Sequence, residues 1–244
     1  MRQFGLIGRS LAHSFSQNYF TEKFQREGIT DAAYRLYEIP QIADLQQLLA
    51  DNPDLKGLNV TIPYKQQVVP MLDSLSYEAE CIGAVNCIRI KQGCLEGHNT
   101  DIAGLRAAFG KLLAGDVPDS ALVLGTGGAS QAVQYALGEL GIAFEIVSRD
   151  ELRGNYTYDN LPVEVVGQSR LIINATPVGT WPDVDDAPRI PYAFVTPDHY
   201  LLDLVYNPEV TSFLDYGMQR GAHVLNGRTM LEVQAEEAWR IWNE

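Results

Sequence analysis

The stretch ALVLGTGGASQAVQYAL (121–137) decides the fold. It opens as a short apolar run of strand length, and Ala132, Val133, Ala136, Leu137 and Leu140 then recur at helical spacing. Between the two lie Gly125, Thr126, Gly127, Gly128, Ala129 and Ser130. Many βα turns are rich in glycine, so the cluster alone says little. Placed after a strand and before a helix, it describes a dinucleotide site. The glycines permit a tight turn and let a pyrophosphate approach the backbone N–H groups at the helix N-terminus. Ser130 stands at the third fingerprint position, where Gly or Ala is usual.

The next strand-like run, 142–148, ends at Ser148-Arg149-Asp150. In a dinucleotide fold this strand end meets the adenosine ribose. An acidic side chain accepts from the 2′-OH of NAD, whereas an arginine pairs with the 2′-phosphate of NADP. Arg149 and Asp150 are adjacent, and the residues by themselves leave both cofactors open.

Further towards the C-terminus, 171–176 and 200–206 read as strands, and 210–220 and 228–242 as helices. Residues 150–163 are polar and turn-rich, without the pattern of a long helix. The last helix puts Leu231, Gln234, Ala238 and Ile241 on one face, where a glutamine needs a hydrogen-bond partner. Towards the N-terminus, 3–7, 33–39 and 55–62 read as strands, and 16–27 and 41–50 as helices. A strand pair, 84–90 and 93–98, is joined at Gln92-Gly93. A helix over 101–113 and a linker over 114–119 precede the glycine-rich turn. The alternation of strand and helix predicts an α/β fold with a mainly parallel sheet, and the pattern restarts after the linker.

At 244 residues with 46% apolar composition, the chain supports one or two domains with their own cores. Its 18 Lys and Arg against 31 Asp and Glu leave a net charge of −13. That argues against nucleic acid or an anionic membrane as partner, since phosphate backbones are bound by clustered cations. Small anions are still allowed, because one cation or helix N-terminus outweighs a distant net charge. The N-terminus turns polar within ten residues, unlike a signal peptide, and no window is apolar enough to span a bilayer. Cys81, Cys87 and Cys94 lack CxxC spacing, and the four histidines are scattered without HExxH. No metal is expected; the cysteines are expected to be buried or half-buried thiols in a reducing cytoplasm.

The first half carries a polar constellation. His13-Ser14-Phe15-Ser16 follows the first strand, and Asn59-Val60-Thr61-Ile62-Pro63-Tyr64-Lys65 runs from a strand into a turn. Asn86 interrupts an apolar run, and Gly97-His98-Asn99-Thr100-Asp101 closes the half. Period two puts Asn59 and Thr61 on one strand face. Hydroxyls and amides with one lysine and one aspartate suit a small polyhydroxylated acid, held by many short hydrogen bonds. Taken singly, each of these residues reads more readily as a cap, turn or strand-end residue; it is their grouping near strand ends that points to a site.

Read end to end, the chain resembles the shikimate dehydrogenase family. The matches are HSFS (13–16), NVTIPYK (59–65), GAVN (83–86), GHNTD (97–101), GTGGAS (125–130), NATPVGT (174–180), DLVYNP (203–208) and GRTMLEVQA (227–235). The resemblance implies an N-terminal α/β shikimate-binding domain of residues 1–100 with 227–244, and a Rossmann-type NADP domain of residues 101–226. The C-terminal helix would return to the first domain. Ser14, Ser16, Asn59, Thr61, Lys65, Asn86, Asp101, Tyr206 and Gln234 would contact the substrate, with Lys65 and Asp101 as the catalytic pair. The glycine-rich turn would hold the pyrophosphate, and Ser148, Arg149 and Asp150 would flank the adenosine ribose. Ala175, Thr176, Leu204 and Gly227 would line the nicotinamide half. The family often has Asn-Arg-Thr at 148–150 and an arginine where Gln131 stands. It also favours methionine where this chain has Thr180 and Leu204. The implied activity is reversible, NADPH-dependent reduction of 3-dehydroshikimate to shikimate on the route to chorismate and the aromatic amino acids, by a cytoplasmic monomer or homodimer. The alternatives are an NAD-using quinate/shikimate dehydrogenase and a non-catalytic dinucleotide sensor.

Overall fold

The computed structural model describes residues 1–11 and 14–244, so His13 of the polar loop lies outside the described residues. The chain divides into two units, Met1–Thr100 with Ala235–Glu244, and Asp101–Gln234.

In the first unit β1 (Arg2–Gly8), α1 (Ser16–Arg26), β2 (Ala32–Glu38), α2 (Leu45–Asp51), β3 (Leu55–Val60), β4 (Ser74–Leu75), α3 (Tyr77–Ile82), β5 (Cys87–Lys91) and β6 (Cys94–His98) follow in chain order. Their sheet runs β2-β1-β3-β5-β6-β4. β1 pairs in parallel with β2 and β3. β4 pairs in parallel with β6, whereas β5 is antiparallel to both β3 and β6, so this sheet is parallel-rich but mixed. The reason is local. Gln92 and Gly93 both take positive φ, 55° and 84°, and a two-residue turn of that kind joins only antiparallel neighbours. Alternation along β1 sends Phe4 and Leu6 into a core with Phe20, Phe24 and Tyr34. Ile7 faces the opposite core, with Leu45, Leu58, Tyr64 and Val85.

The second unit contains α4 (Asp101–Leu113), β7 (Ser120–Leu124), α5 (Gly128–Glu139), β8 (Ala143–Ser148), β9 (Tyr156–Thr157), α6 (Val163–Gln168), β10 (Leu171–Asn174), β11 (Tyr200–Asp203), α7 (Ser212–Gln219), β12 (His223–Leu225) and the start of α8 (Arg228–Trp242). Its sheet order is β12-β11-β10-β7-β8-β9, and its pairings are parallel. The chain winds outward from β7 to β9 on one side, then from β10 to β12 on the other. This is the Rossmann order, with its switch between β7 and β10. The runs at 121–124, 171–174 and 200–203 are buried throughout, as strands covered on both faces require.

The last turns of α8 lie on the first unit's sheet. A Cβ on Gly57 would sit 2.2 Å from the Trp242 indole, whose Nε1 donates to the Ile88 carbonyl at 3.0 Å. Glycine is needed there because a large ring lies flat against β3. The buried seam of α8 is Met230, Ala235, Ala238, Ile241 and Trp242, while Leu231 and Gln234 are only half-buried. The seam is therefore rotated from the expected Leu231-Gln234 stripe, because small Ala235 and large Trp242 occupy the contact. Met230 packs on Gly104 of α4 within the second unit, and Ala235–Glu244 belongs to the first.

Other elements shift at their ends. β3 stops at Val60, so Thr61 lies beyond the strand, although its N–H still donates to the Ile7 carbonyl at 3.0 Å. Pro63 has no N–H to carry the ladder on. Asn86 precedes β5 instead of interrupting a strand, and β10 and β11 end at Asn174 and Asp203. Cys87 is buried, but Cys81 and Cys94 are exposed, contrary to expectation. Cys94 opens β6 directly after the hairpin turn, where side chains reach water.

Candidate active site

In the first unit the polar residues gather at the carboxyl ends of β1 and β3. Ser14 and Ser16 lie where the chain leaves β1 and enters α1; the Ser14 hydroxyl accepts from the Ser16 N–H at 3.3 Å. Asn59 is buried on β3. Its Oδ1 accepts from the Tyr34 hydroxyl at 2.8 Å, and its Nδ2 donates to the Asn86 carbonyl at 3.2 Å. Asn86 in turn receives the Thr100 N–H on Oδ1 at 2.7 Å and donates through Nδ2 to the Thr100 hydroxyl at 3.0 Å. Asn99 Nδ2 donates to the Ala84 carbonyl at 2.8 Å. Neutral groups thus satisfy one another deep in the unit, as buried polar atoms must. Tyr64 is fully buried and anchors the turn after β3 by donating to the Ile39 carbonyl at 2.6 Å. The next residue, Lys65, is half-buried, and its carbonyl accepts from the Val85 N–H at 2.7 Å.

In the second unit Asp101 is buried and begins α4. Gly125 leaves β7 with φ of 108°, and a Cβ there would come within 2.9 Å of the Thr176 methyl. Ser130 is fully buried and donates to the Gly125 carbonyl at 2.7 Å, locking the turn from within. That bond accounts for a serine at the third fingerprint position. Gly127 is the N-cap of α5, and no side chain caps the helix. A Cβ on Gly127 would meet nothing within 4 Å.

Ser148 is buried, and its hydroxyl accepts from the Asp150 N–H at 3.0 Å. Asp150 Oδ1 accepts from the Leu152 N–H at 3.0 Å, while Arg149 is exposed. Arg153 reaches back across the turn and donates to the Thr126 carbonyl at 2.9 Å.

At the other side of the switch, Asn174 Oδ1 accepts from the Thr176 N–H at 3.1 Å and hydroxyl at 2.6 Å. Asn174 Nδ2 donates to Asp203 Oδ1 at 3.0 Å. Asp203 also accepts from the Val205 N–H at 2.9 Å and the Thr211 hydroxyl at 2.6 Å. Burial pushes the Asp203 carboxyl up to about 7 against those three donors. Leu204 and Gly227 are brought together, since a Cβ on Gly227 would lie 2.2 Å from the Leu204 carbonyl. Tyr206 and Gln234 are half-buried.

A family model described as the shikimate dehydrogenase substrate binding domain matches residues 6–88. A shikimate dehydrogenase (NADP(+)) from Clostridium beijerinckii is 38% identical over 100% of this chain and 93% of its own length. The chain belongs to the shikimate dehydrogenase family. Among solved structures, the Thermus thermophilus shikimate 5-dehydrogenase in complex with NADP(H) and shikimate is 33% identical, with a TM-score of 0.86 over 99% of this chain and 93% of that one. A quinate dehydrogenase from Corynebacterium glutamicum in complex with NAD is 28% identical, with a TM-score of 0.88 over 99% of this chain and 93% of that one.

Within this member of the shikimate dehydrogenase family, several residues escape a reading of motifs. Tyr34 joins the polar network from an ordinary-looking strand, and Thr100 joins it from within GHNTD (97–101), where the motif alone gave it no role. Arg153 hides in the turn-rich segment. Asp203 had a signal, a lone carboxylate in the apolar run YLLDLVY (200–206). Among the described residues no group of three or more His, Cys, Asp or Glu is placed to hold a metal, and no helix is long and apolar enough to cross a membrane.

Proposed function

We propose that the protein catalyses the reversible, NADPH-dependent reduction of 3-dehydroshikimate to shikimate. The observation that carries this reading is the full-length match, in sequence and fold, to shikimate dehydrogenases, one of them solved with NADP(H) and shikimate. The residues fit a dinucleotide. The N-terminus of α5 has no side-chain cap at Gly127, which suits a pyrophosphate. Arg149 is exposed, Arg153 of the same turn donates to the Thr126 carbonyl, and an Asp150 oxygen is engaged by the Leu152 N–H. Two guanidiniums at this strand end favour the 2′-phosphate of NADP over the 2′-OH of NAD.

When bound, the nicotinamide supplies or accepts the hydride at the carbon bearing the reacting oxygen. Lys65 gives a proton to the oxygen as it gains negative charge and stabilises that charge; Asp101 is the catalytic carboxylate that supports it. A cation at that oxygen interacts more strongly with the alkoxide-like transition state than with the neutral ketone, which is what lowers the barrier. Ser14, Ser16, Asn59, Thr61, Asn86, Tyr206 and Gln234 present the hydroxyls and amides that orient the substrate. Ala175, Thr176, Leu204 and Gly227 shape the nicotinamide side. The three free cysteines agree with a cytoplasmic setting.

The test is a dehydrogenase assay with shikimate and quinate, each against NADP and NAD. Shikimate with NADP should give the highest kcat/KM; a preference for quinate with NAD would move the protein to the alternative. Lys65→Ala and Asp101→Asn should each lower kcat by about a hundredfold or more, the usual weight of general acid–base catalysis. Near-wild-type kcat in both would remove the catalytic assignment.

A further inference from the structure

Tyr34 has no place in the roles set out above, yet it hydrogen-bonds one of the residues they name. Its hydroxyl donates to Asn59 Oδ1 at 2.8 Å. Tyr34 pairs with Phe4 in β2, and Asn59 pairs with Leu6 in β3, so the phenol reaches across β1. The ring is fixed by stacking on Phe20, with centroids 4.4 Å apart. Both Tyr34 and Asn59 are buried, at 6% and 5% exposure, so neither exchanges its partner for water.

The direction of these bonds is forced. The Asn86 carbonyl only accepts, so the Asn59 atom facing it must be Nδ2. Oδ1 then faces Tyr34, and the phenol must donate. One Nδ2–H of Asn59 is thereby used on the protein, and among the described residues the other has no partner. Without the phenol, the Oδ1 end would lose its donor while buried, and the amide would lose one of two contacts that fix its plane.

We propose that Tyr34 is a positioning residue for substrate recognition: it holds the Asn59 amide as a hydrogen-bond donor towards an oxygen of the substrate. This rests on the shikimate dehydrogenase reading. Tyr34 does not touch the reacting atoms, so its loss weakens substrate binding and leaves the chemical step in place.

The experiment is steady-state kinetics of wild type, Tyr34→Phe, Asn59→Ala and the double variant, with thermal midpoints read on the same samples. Tyr34→Phe should raise the KM for shikimate about tenfold, the effect of one positioning hydrogen bond. Its kcat should stay within about twofold, and its KM for NADP should be unchanged. In the Asn59→Ala background Tyr34→Phe should add little, because its effect passes through Asn59. A folded Tyr34→Phe with an unchanged shikimate KM, or with an effect fully additive to Asn59→Ala, would overturn the proposal while the enzymatic reading stands. Wild type unable to oxidise shikimate would overturn both. If Tyr34→Phe does not fold, Tyr34→Leu, which also lacks the hydroxyl, takes its place.

Discussion

Asp203 shows how much one buried group can set. It ties the turn after β10 to the turn after β11 through Asn174, Val205 and Thr211. Its carboxyl is raised from 3.8 to about 7 by burial. Between those values the folded chain keeps a proton that the unfolded chain has released. The stabilisation is therefore complete below the unfolded value and is lost as pH rises through about 7. Asp203→Asn removes this titration. Urea midpoints compared at roughly pH 5 and pH 8 should differ less for the variant than for wild type. Equal differences would mean that Asp203 does not titrate in that window. Arg149 offers a second test at this scale. Arg149→Ala should raise the KM for NADP by about ten- to a hundredfold, the weight of a charge-assisted hydrogen bond, and leave that for NAD nearly unchanged. A parallel rise for both cofactors would show that Arg149 supports the fold and does not read the phosphate. The cysteines divide by burial. Two thiols, Cys81 and Cys94, should react with an aromatic disulfide reagent in the native protein, and Cys87 only on unfolding, because burial also pushes its thiol pKa upward.

Elements are decided by local chemistry where a turn or a close approach leaves no choice. Gln92 holds φ of 55° in the β5–β6 hairpin, a conformation asparagine adopts more readily. Gln92→Asn should raise unfolding free energy by about 0.5 kcal/mol, measured by urea titration; a loss of stability would mean the glutamine side chain makes a compensating contact. Gly57→Ala brings a methyl against the Trp242 indole and should cost about 1–3 kcal/mol by overpacking. The hairpin and the glycine-rich βα turn were legible in the sequence because each is settled within a few residues. The rotated seam of α8 was not, since Leu231, Ala235, Ala238 and Trp242 all satisfy helical spacing, and only the surface they meet selects among them. The same limit hid Tyr34: its link to Asn59 spans 25 positions and depends on the register of three strands.

At the scale of the whole chain, the returning segment Ala235–Glu244 completes a core with Phe4, Phe20 and Tyr34. Truncation after Gln234 should therefore strip hydrogen-exchange protection from β1 and β3 while leaving β7, β10 and β11 protected; uniform loss across both units would refute that division. Against a net charge of −13, Arg149, Arg153 and the N-terminus of α5 are the local features that would answer an anionic cofactor. The sequence by itself determined the α/β class, the glycine-rich turn and the family, because periodicity and short motifs are local properties that survive without coordinates. Tertiary structure alone decided that the first sheet is mixed, where α8 changes units, which cysteines meet solvent, and that Tyr34, Asn59, Asn86 and Thr100 form one hydrogen-bonded chain. Those outcomes depend on which distant surfaces are buried together, and burial is a property of the folded chain rather than of any segment.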